Sequence, residues 1–225
     1  VLDKILENGF EAYLVGGAVR DYMLHRRTND FDIATNALPA DIIKIFGTSY
    51  KNIQYGCYNM RIGSYNVDIT TYRKEEAYEG RNPSKITYTN NLLLDAERRD
   101  FTINAFYMNR NEEIIDLYDG QKDIKRKMIR AIGNPTTRVR EDPLRILRAV
   151  RFASIYKFSL EKNLANAIKR DKKMLNELSL TRIKKELDGI LLANGFTLLR
   201  QLNLLKELQI TTKSIVYVND LSGLW

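Results

Sequence analysis

Cysteine and long apolar runs are nearly absent from this sequence of 225 residues. Its single cysteine, Cys57, excludes an internal disulfide and is consistent with the reducing conditions of the cytosol. No apolar run approaches the roughly 18 residues that a membrane span needs, and the N-terminus lacks the pattern of a secretory signal peptide. We therefore expect a globular cytoplasmic protein with no membrane partner.

Acidic residues are outnumbered by basic ones, 28 against 36, which gives a formal net charge of +8. The excess is concentrated between residues 121 and 151, where three acids accompany ten cations. Such a surplus indicates a phosphate-bearing partner. The ten cations are Lys122, Lys125, Arg126, Lys127, Arg130, Arg138, Arg140, Arg145, Arg148 and Arg151.

A glycine turn between an apolar strand and a helix is the first candidate ligand site. The apolar run 12–15 predicts a short buried strand, which Gly16 and Gly17 interrupt before a helix over 18–24. Glycine allows the backbone to approach a ligand closely, and a helix start offers unpaired N–H groups to a phosphate. Ordinary turn chemistry also explains two adjacent glycines, so the turn alone indicates no function.

Two carboxylates, Asp30 and Asp32, follow the turn at alternate positions. If 30–35 is a strand, its period of two puts both on one face and directs Phe31 and Ile33 toward the core. Carboxylate oxygens are ligands that Mg²⁺ prefers. The two aspartates therefore predict a Mg²⁺ site beside a phosphate cradle, which is the outline of a site for nucleotidyl transfer.

Asp68 is the third candidate carboxylate. In the predicted strand 66–72, Val67 and Ile69 face the core and Asp68 faces the opposite way. An exposed polar position on a strand is the ordinary interpretation of such a residue. Beside the first two aspartates, the same carboxylate could complete the metal shell or help to deprotonate an attacking hydroxyl in a two-metal reaction.

Strand and helix patterns alternate in the first half of the chain, and helical patterns dominate the second. Hairpins are predicted over 60–72 and 105–116, and a helix that starts at a proline is predicted over 39–46. Residues 74–95 have little periodicity and are interpreted as a mobile loop, whereas helical periodicity takes over from Gln121 onward. The predicted fold is a mixed α/β catalytic domain, a small sheet flanked by helices, followed by helices.

Two further motifs carry a family resemblance. They are RRDFTINA at 98–105 and EDPLRILRAVRF at 141–152. With the glycine turn and its aspartates, they strongly resemble the superfamily of class II tRNA nucleotidyltransferases and bacterial poly(A) polymerases. The resemblance implies a nucleotidyltransferase head over 1–125, a helical neck over 126–190 and the start of a helical body over 191–225. We expect the rest of the body and the tail to be missing.

The resemblance also implies roles for individual residues. Asp30, Asp32 and Asp68 would be catalytic, with the first two as the metal ligands of Mg²⁺. The reaction implied is attack of a tRNA 3′-hydroxyl on the α-phosphate of CTP or ATP, with loss of pyrophosphate. The nucleotide-binding residues implied are Gly17, Arg20, Arg99, Asp100, Asn104, Asp142, Arg145, Arg148 and Arg151.

The motif at 141–152, which we call the neck motif, contains residue types that can distinguish nucleotide bases. On a helix, Asp142, Arg145, Arg148 and Arg151 share one half of the circumference, which also fits an ordinary amphipathic helix with a solvated basic face. Cytosine and adenine each present an amine donor beside an unprotonated ring nitrogen, so one carboxylate and one guanidinium can bind both. Uracil and guanine would leave both side chains mispaired, at about 1–3 kcal/mol per lost contact. The resemblance assigns this selection to Asp142 and Arg145.

Several activities within the superfamily share the same catalytic residues. CCA addition is favoured by Asn104, by the run DGQKDI at 119–124 and by the helix that carries Arg182 and Glu186. CC-only addition, A-only addition and poly(A) synthesis remain alternatives, as does an RNA-binding module with an inactive head. In the favoured interpretation the partners are the 3′ end of tRNA, CTP and ATP.

One position departs from the family pattern. His25 stands where the family usually has glycine, just after a predicted helix end. Histidine tolerates the left-handed conformation better than most residues, so we interpret His25 as a C-cap residue and not as a catalytic base.

Overall fold

The computed structural model describes residues 1–47, 56–79 and 82–208, and for 76–79 and 82–84 it describes the backbone alone. Within this part the chain divides into two compact units. The first comprises Val1–Ala77 and Pro83–Lys122, and the second comprises Tyr78–Asn82 with the chain from Asp123 onward. None of the helices in these ranges combines the length and the apolar character that crossing a membrane requires.

A six-stranded mixed sheet forms the centre of the first unit. Up to Asp116 the described strands are β1 (Ala12–Val15), β2 (Asp30–Thr35), β3 (Cys57–Ile62), β4 (Tyr65–Thr71), β5 (Arg73–Glu79), β6 (Asn82–Tyr88), β7 (Phe106–Met108) and β8 (Ile114–Asp116). The sheet order is β3-β4-β2-β1-β7-β8. β2 and β4 run parallel, and the other neighbours are antiparallel. The predicted strand 30–35 and both predicted hairpins are confirmed.

Helices cover the sheet and complete a core on both of its faces. They are α1 (Leu2–Leu6), α2 (Gly17–Met23), α3 (Pro39–Phe46) and α4 (Leu92–Glu97). A further helix, α5 (Gly120–Lys125), begins in the first unit and ends in the second. One core cluster includes Ile5, Ile33, Ile42, Val67 and Ile69. The other is formed by Val15, Ala34, Tyr72, Ala96 and Tyr107. The alternation along β2 and β4 thus directs Ile33, Val67 and Ile69 inward, as their sequence pattern predicts.

The end of α2 confirms the interpretation of His25. His25 has φ 54°, in the left-handed region. Its N–H donates to the Tyr22 carbonyl (3.0 Å), and the next N–H, that of Arg26, donates to the Asp21 carbonyl (2.8 Å). These two bonds form a Schellman motif, which satisfies carbonyls that the helix end would otherwise leave unpaired. His25 therefore ends a helix.

The prediction of a mobile loop over 74–95 is wrong. β5 and β6 form a two-stranded sheet, the β5–β6 ribbon, and α4 follows it. The Thr89 N–H donates to the Tyr72 carbonyl at the base of the ribbon (3.0 Å), and the Asn91 side chain caps α4 by accepting from the Leu93 N–H (2.9 Å). A ribbon of charged residues shows no apolar alternation, which explains why periodicity missed it. Gly80 and Arg81 of this segment lie outside the described residues.

Helices make up most of the second unit. They are α6 (Pro135–Glu141), α7 (Leu144–Tyr156), α8 (Lys162–Asp171), α9 (Leu180–Leu192) and α10 (Phe196–Gln201). α7 packs against α9, and α6 packs against α8. Two short strands, β9 (Met128–Ile129) and β10 (Ser159–Leu160), pair in parallel. Residues 209–225 of the predicted body lie outside the described part.

The neck motif is not one continuous helix, which corrects the helical wheel drawn from the sequence. α6 ends at Glu141, Asp142 has an extended backbone (φ −141°, ψ 97°), and α7 begins at Leu144. The cause is Pro143, because a proline disfavours the helical conformation in the residue before it. Asp142 therefore lies at a junction between two helices, and Arg145 lies in the first turn of the second helix.

Candidate active site

Parallel pairing of β2 and β4 brings the three predicted carboxylates together on one face of the sheet. Asp32 lies opposite Asp68, and Asp30 lies opposite Asn66. The Asn66 amide donates to Asp30 Oδ1 (2.7 Å), and the Asn59 amide donates to Asp68 Oδ1 (2.7 Å). The predicted placement is therefore confirmed, and each outer carboxylate is oriented by an asparagine on the neighbouring strand.

Asp32 is the carboxylate most affected by its surroundings. Its side chain reaches solvent at the surface, but closely packed protein removes part of its hydration, which raises the pKa of its carboxyl. Arg99 lowers this pKa, whereas the carboxylates of Asp68 and Asp30 raise it again. A cation brought to this face would relieve the repulsion among the three aspartates.

The donor chemistry of this face fits Mg²⁺, because carboxylate oxygens suit a hard cation. Among the described residues, no three His, Cys, Asp or Glu side chains are already gathered into a metal-binding cluster. Asp30 and Asp68 instead each hold an asparagine amide. The assignment of Asp30 and Asp32 as metal ligands therefore stays a prediction, supported by the type of donor and by the shared face.

Gly16 forms a notch beside Asp32. Its φ is 67°, in the left-handed region that favours glycine. A Cβ at this position would lie 3.3 Å from Arg99 Nη1, 3.7 Å from Asp32 Oδ2 and 3.8 Å from the Asn104 carbonyl oxygen. Arg99, Asp32 and the short 3₁₀ helix Thr102–Asn104 thus approach the backbone at this glycine, and we call the place where they meet the Gly16 notch.

Arg20 connects the first turn of α2 to the RRDFTINA motif. Its guanidinium is buried, pairs with Asp21 (3.1 Å) and donates from Nη1 to Asn104 Oδ1. The Asn104 amide in turn donates to Asp100 Oδ1 (3.0 Å). Gly17 lies beside this group, since a Cβ there would be 3.3 Å from Arg20 Nη2. Three of the predicted nucleotide-binding residues, Arg20, Asn104 and Asp100, therefore form one hydrogen-bonded cluster, and Gly17 borders it.

Arg99 is held by a buried group that the sequence did not reveal. Its Nη2 donates to Asp95 Oδ2 (3.2 Å) and its Nε donates to the Tyr107 hydroxyl (3.1 Å). The Tyr107 hydroxyl donates to the same Asp95 oxygen (2.6 Å). Burial by itself would raise the pKa of the Asp95 carboxyl, but Arg98, Arg99 and the tyrosine hydroxyl outweigh it and lower this pKa to about 2.

Asp142 and Arg145 lie in the second unit, and both are buried. Asp142 Oδ1 accepts from the Leu144 N–H (3.1 Å), at the start of α7. Arg145 Nη1 donates to the Arg138 carbonyl (2.9 Å) and to Glu141 Oε2 (2.9 Å). Arg145 is therefore not part of a solvated basic face, and its guanidinium has a fixed orientation.

The two remaining arginines of the neck motif lie farther along α7. The Arg148 guanidinium lies over the Phe152 ring, 5.2 Å from its centroid. Arg151 Nε donates to Glu186 Oε2 (2.5 Å), and its guanidinium lies 4.5 Å from the centroid of the same ring. Arg151 thereby links α7 to α9, and its role toward a nucleotide stays a prediction.

Besides Asn59 and Asn66 on the carboxylate face, sequence reasoning missed Asp95, Tyr107 and Glu141, which orient predicted arginines. Asp95 lies four residues before Arg99, a spacing that becomes informative only once 92–97 is recognised as a helix. Tyr107 lies in a predicted strand, but a fully buried short strand gives no alternation to show which residue faces Arg99. Glu141 stands in the neck motif four residues before Arg145, the spacing of a helical ion pair.

Comparison with known proteins identifies the family. The model of the family described as Poly A polymerase head domain matches residues 12–130, more than half of the chain. The chain belongs to this family. The resemblance inferred from its motifs is thereby confirmed.

The curated relatives similar to this chain include several named CCA-adding enzyme. The CCA-adding enzyme of Lactobacillus delbrueckii subsp. bulgaricus is 47% identical over 188 residues, which cover 83% of this chain and 48% of the relative. The CCA-adding enzyme of Limosilactobacillus reuteri is 43% identical over 197 residues, which cover 87% of this chain and 49% of the relative. The chain thus spans about half the length of the curated relatives it matches.

Solved structures give the same result for the fold. The CCA-adding enzyme of Bacillus stearothermophilus, solved with CTP, has a TM-score of 0.85 and 33% identity, with 95% of this chain and 53% of that one covered. A tRNA nucleotidyltransferase solved with a primer tRNA and an incoming ATP analogue has a TM-score of 0.74 and 29% identity, with 92% and 61% covered. The predicted mixed α/β head followed by helices is therefore confirmed.

Replacing Asp95 by asparagine tests the buried group. Asp95→Asn keeps the shape but removes the buried carboxylate that Arg98 and Arg99 share, so we expect a loss of about 3–5 kcal/mol in the free energy of unfolding. Asp3→Asn is the matched control, because Asp3 pairs with Arg110 at an exposed site, and it should change stability by less than about 1 kcal/mol. Urea unfolding at pH 6 measures both.

The pH dependence of the difference in stability between wild type and Asp95→Asn tests the lowered pKa of Asp95. The folded pKa of about 2 lies below the ordinary unfolded value of about 3.9. The ionised Asp95 carboxylate therefore contributes its full stabilisation above its pKa in the unfolded chain, and this contribution is lost as the pH falls through its pKa in the folded protein. We expect the difference between wild type and Asp95→Asn to be about 1 kcal/mol smaller at pH 3 than at pH 6. A difference that stays constant over this range would contradict the charged pairing.

Proposed function

We propose that this chain is the head and neck of a CCA-adding tRNA nucleotidyltransferase, an enzyme that transfers CMP and AMP from CTP and ATP to the 3′ end of tRNA. The observation that carries the proposal is the in-register pair Asp32 and Asp68 beside the Gly16 notch and Arg99. Relatives named CCA-adding enzymes, among them one solved with CTP, support it. A relative solved with primer tRNA and an ATP analogue supports tRNA and ATP as partners.

The proposed division of labour follows the domains inferred from the sequence. The head over 1–125 carries the transfer chemistry, the neck over 126–190 chooses the base, and 191–225 begins a body. The single cysteine supports action in the cytoplasm. The catalytic chemistry needs no covalent enzyme intermediate, because positioning and charge stabilisation supply most of the rate in phosphoryl transfer.

In the head, the 3′-hydroxyl of the tRNA attacks the α-phosphate and pyrophosphate leaves. Asp30 and Asp32 would hold Mg²⁺, which, when bound, supplies positive charge to the phosphate oxygens. Asp68 lies next to Asp32, where its carboxylate could complete the metal shell or accept the proton of the hydroxyl. Arg99 and Arg20 contribute positive charge at the Gly16 notch and the start of α2, where charge develops on the triphosphate.

In the neck, Asp142 and Arg145 would select the base. The carboxylate of Asp142 would accept from the exocyclic amine, and Arg145 would donate to the ring nitrogen of cytosine or adenine. Glu141 keeps Arg145 in one orientation, so a mismatched base cannot be accommodated by rotating the guanidinium. Arg148 and Arg151, held over Phe152, would serve the triphosphate or the walls of the pocket.

The sequence of the added nucleotides is the experiment that tests the proposal. Full-length protein is incubated with tRNA lacking its last three nucleotides, with CTP, with ATP and with both, and the 3′ ends are sequenced. CCA ends with both nucleotides are expected. Addition that stops at CC, a single A added to tRNA ending in CC, or long A tails with ATP alone would each replace the proposal with the corresponding alternative activity. If no nucleotide is added under any of these conditions, the alternative of an RNA-binding module with an inactive head would be favoured.

Removing the charge of Asp32 should stop transfer without unfolding the protein. For Asp32→Asn we expect nucleotide incorporation to fall by about 10³-fold, equivalent to about 4 kcal/mol of transition-state stabilisation. The measurement is the initial rate of CMP addition to tRNA at saturating Mg²⁺. Asp3→Asn is the control and should keep the wild-type rate. Incorporation that persists in Asp32→Asn would refute the role of the carboxylate face.

Truncating Arg145 should change which base is chosen more than how tightly the triphosphate binds. In Arg145→Ala, we expect the ratio of UMP to CMP incorporation to rise about tenfold, the size of one lost base contact, while the KM for CTP rises less. Arg140→Ala is the control, since Arg140 lies in the same unit and pairs with Asp171 through a half-exposed side chain. A uniform loss of affinity with unchanged selectivity would rule out base selection by Arg145.

A further inference from the structure

Three nitrogens of the Arg99 guanidinium face three different environments. Nε donates to the Tyr107 hydroxyl (3.1 Å), and Nη2 donates to Asp95 Oδ2 (3.2 Å). Nη1 is the nitrogen at the Gly16 notch, where a glycine Cβ would approach it to 3.3 Å. Because the guanidinium is planar and rigid, holding two of its nitrogens determines where the third one points.

We infer that Tyr107 and Asp95 are positioning residues that direct Arg99 Nη1 into the Gly16 notch, toward the triphosphate. The inference rests on the proposed function, because it assigns Arg99 a nucleotide to meet. Neither residue touches the notch itself. They act through Arg99, and a long flexible side chain would otherwise lose about 2 kcal/mol of rotamer entropy when it binds a phosphate.

Tyr107 is suited to this role by both its ring and its hydroxyl. The hydroxyl accepts from Arg99 Nε and donates to Asp95 (2.6 Å), so it closes a three-membered ring of hydrogen bonds. The Arg99 guanidinium also lies 5.0 Å from the centroid of the Tyr107 ring, within the range of a cation–π contact. The ring fixes the plane of the guanidinium, and the hydroxyl fixes its rotation within that plane.

The Asp95 carboxylate oxygen that does not bind Arg99 is also hydrogen-bonded. Oδ1 accepts from Arg98 Nε (2.9 Å) and from the backbone N–H of Arg73 at the base of the β5–β6 ribbon (3.3 Å). Glu75 on the ribbon pairs with Arg73 (2.7 Å) and with Arg98 (3.5 Å). Arg98 and Glu75 thereby connect Asp95 to the ribbon, so the carboxylate that accepts from Arg99 Nη2 is itself fixed in position.

The orientation of Arg99 can be measured without any nucleotide. NMR of protein with ¹⁵N-labelled arginine detects rotation about the Nε–Cζ bond, and an Arg99→Lys sample identifies the Arg99 signals. We expect slow rotation with separate Nη signals in the wild type and averaged signals in Tyr107→Phe. Tyr72→Phe is the matched control, because Tyr72 belongs to the same core cluster and donates instead to Glu11 (3.2 Å). Averaged signals already in the wild type would overturn the inference.

A double-mutant cycle then tests the consequence for nucleotide binding. In Tyr107→Phe we expect the KM for CTP to rise about tenfold, with kcat changing less and with the unfolding temperature matching that of Tyr72→Phe. In an Arg99→Ala background the same substitution should have no further effect. Equal effects in both backgrounds would show that Tyr107 does not act through Arg99. Failure of the proposed function would appear separately, as a wild type that incorporates no nucleotide although its Arg99 is held.

Discussion

Repulsion between carboxylates is the constraint on which the candidate site depends. β2 and β4 pair in parallel and in register, so Asp32 and Asp68 lie side by side with Asp30 near them on the same face. Like charges at such spacing make one another harder to ionise. Lost hydration is the main cause of the raised pKa of Asp32, and the charges of Asp68 and Asp30 add to it. Cations relieve this repulsion, and Arg99 with Arg98 supplies part of that positive charge from the protein itself.

Arg99 can carry a positive charge in this partly buried place because other residues hydrogen-bond to its guanidinium. A buried arginine needs a partner, and a buried ion pair repays its desolvation only when further hydrogen bonds satisfy both groups. Asp95 and Tyr107 supply those bonds on the side away from the Gly16 notch. The arrangement separates two tasks, since one side of the guanidinium stabilises the fold and the other faces Asp32. The second unit repeats the pattern on α6 and α7, where Glu141 holds Arg145.

The elements that carry the chemistry were largely predictable from the sequence. Alternating apolar residues located β2 and β4 and placed Asp30, Asp32 and Asp68 on the correct face. Two features were out of reach because periodicity detects only elements with an apolar face long enough to repeat. The β5–β6 ribbon is charged and shows no apolar alternation, and α4 is only six residues long. With α4 unrecognised, Asp95 could not be connected to Arg99.

The error in the neck motif had a different cause. The apolar residues from Leu144 onward repeat with a helical period, but that helix does not include Asp142, because Pro143 stands between them. The local rule that a residue preceding proline avoids the helical conformation was available from the sequence. Tyr107 was not accessible in this way, because its partners lie on other elements and only the folded structure brings its hydroxyl to Arg99.

The most direct test of this site is a crystal structure of the protein with CTP and Mg²⁺. We expect the triphosphate at the Gly16 notch, with Arg99 Nη1 on a phosphate oxygen while Nε remains on the Tyr107 hydroxyl. Asp32 should lie within reach of the metal that the triphosphate carries. A triphosphate bound away from the notch, or an Arg99 that leaves Tyr107 to reach it, would contradict the roles proposed for Arg99 and Tyr107.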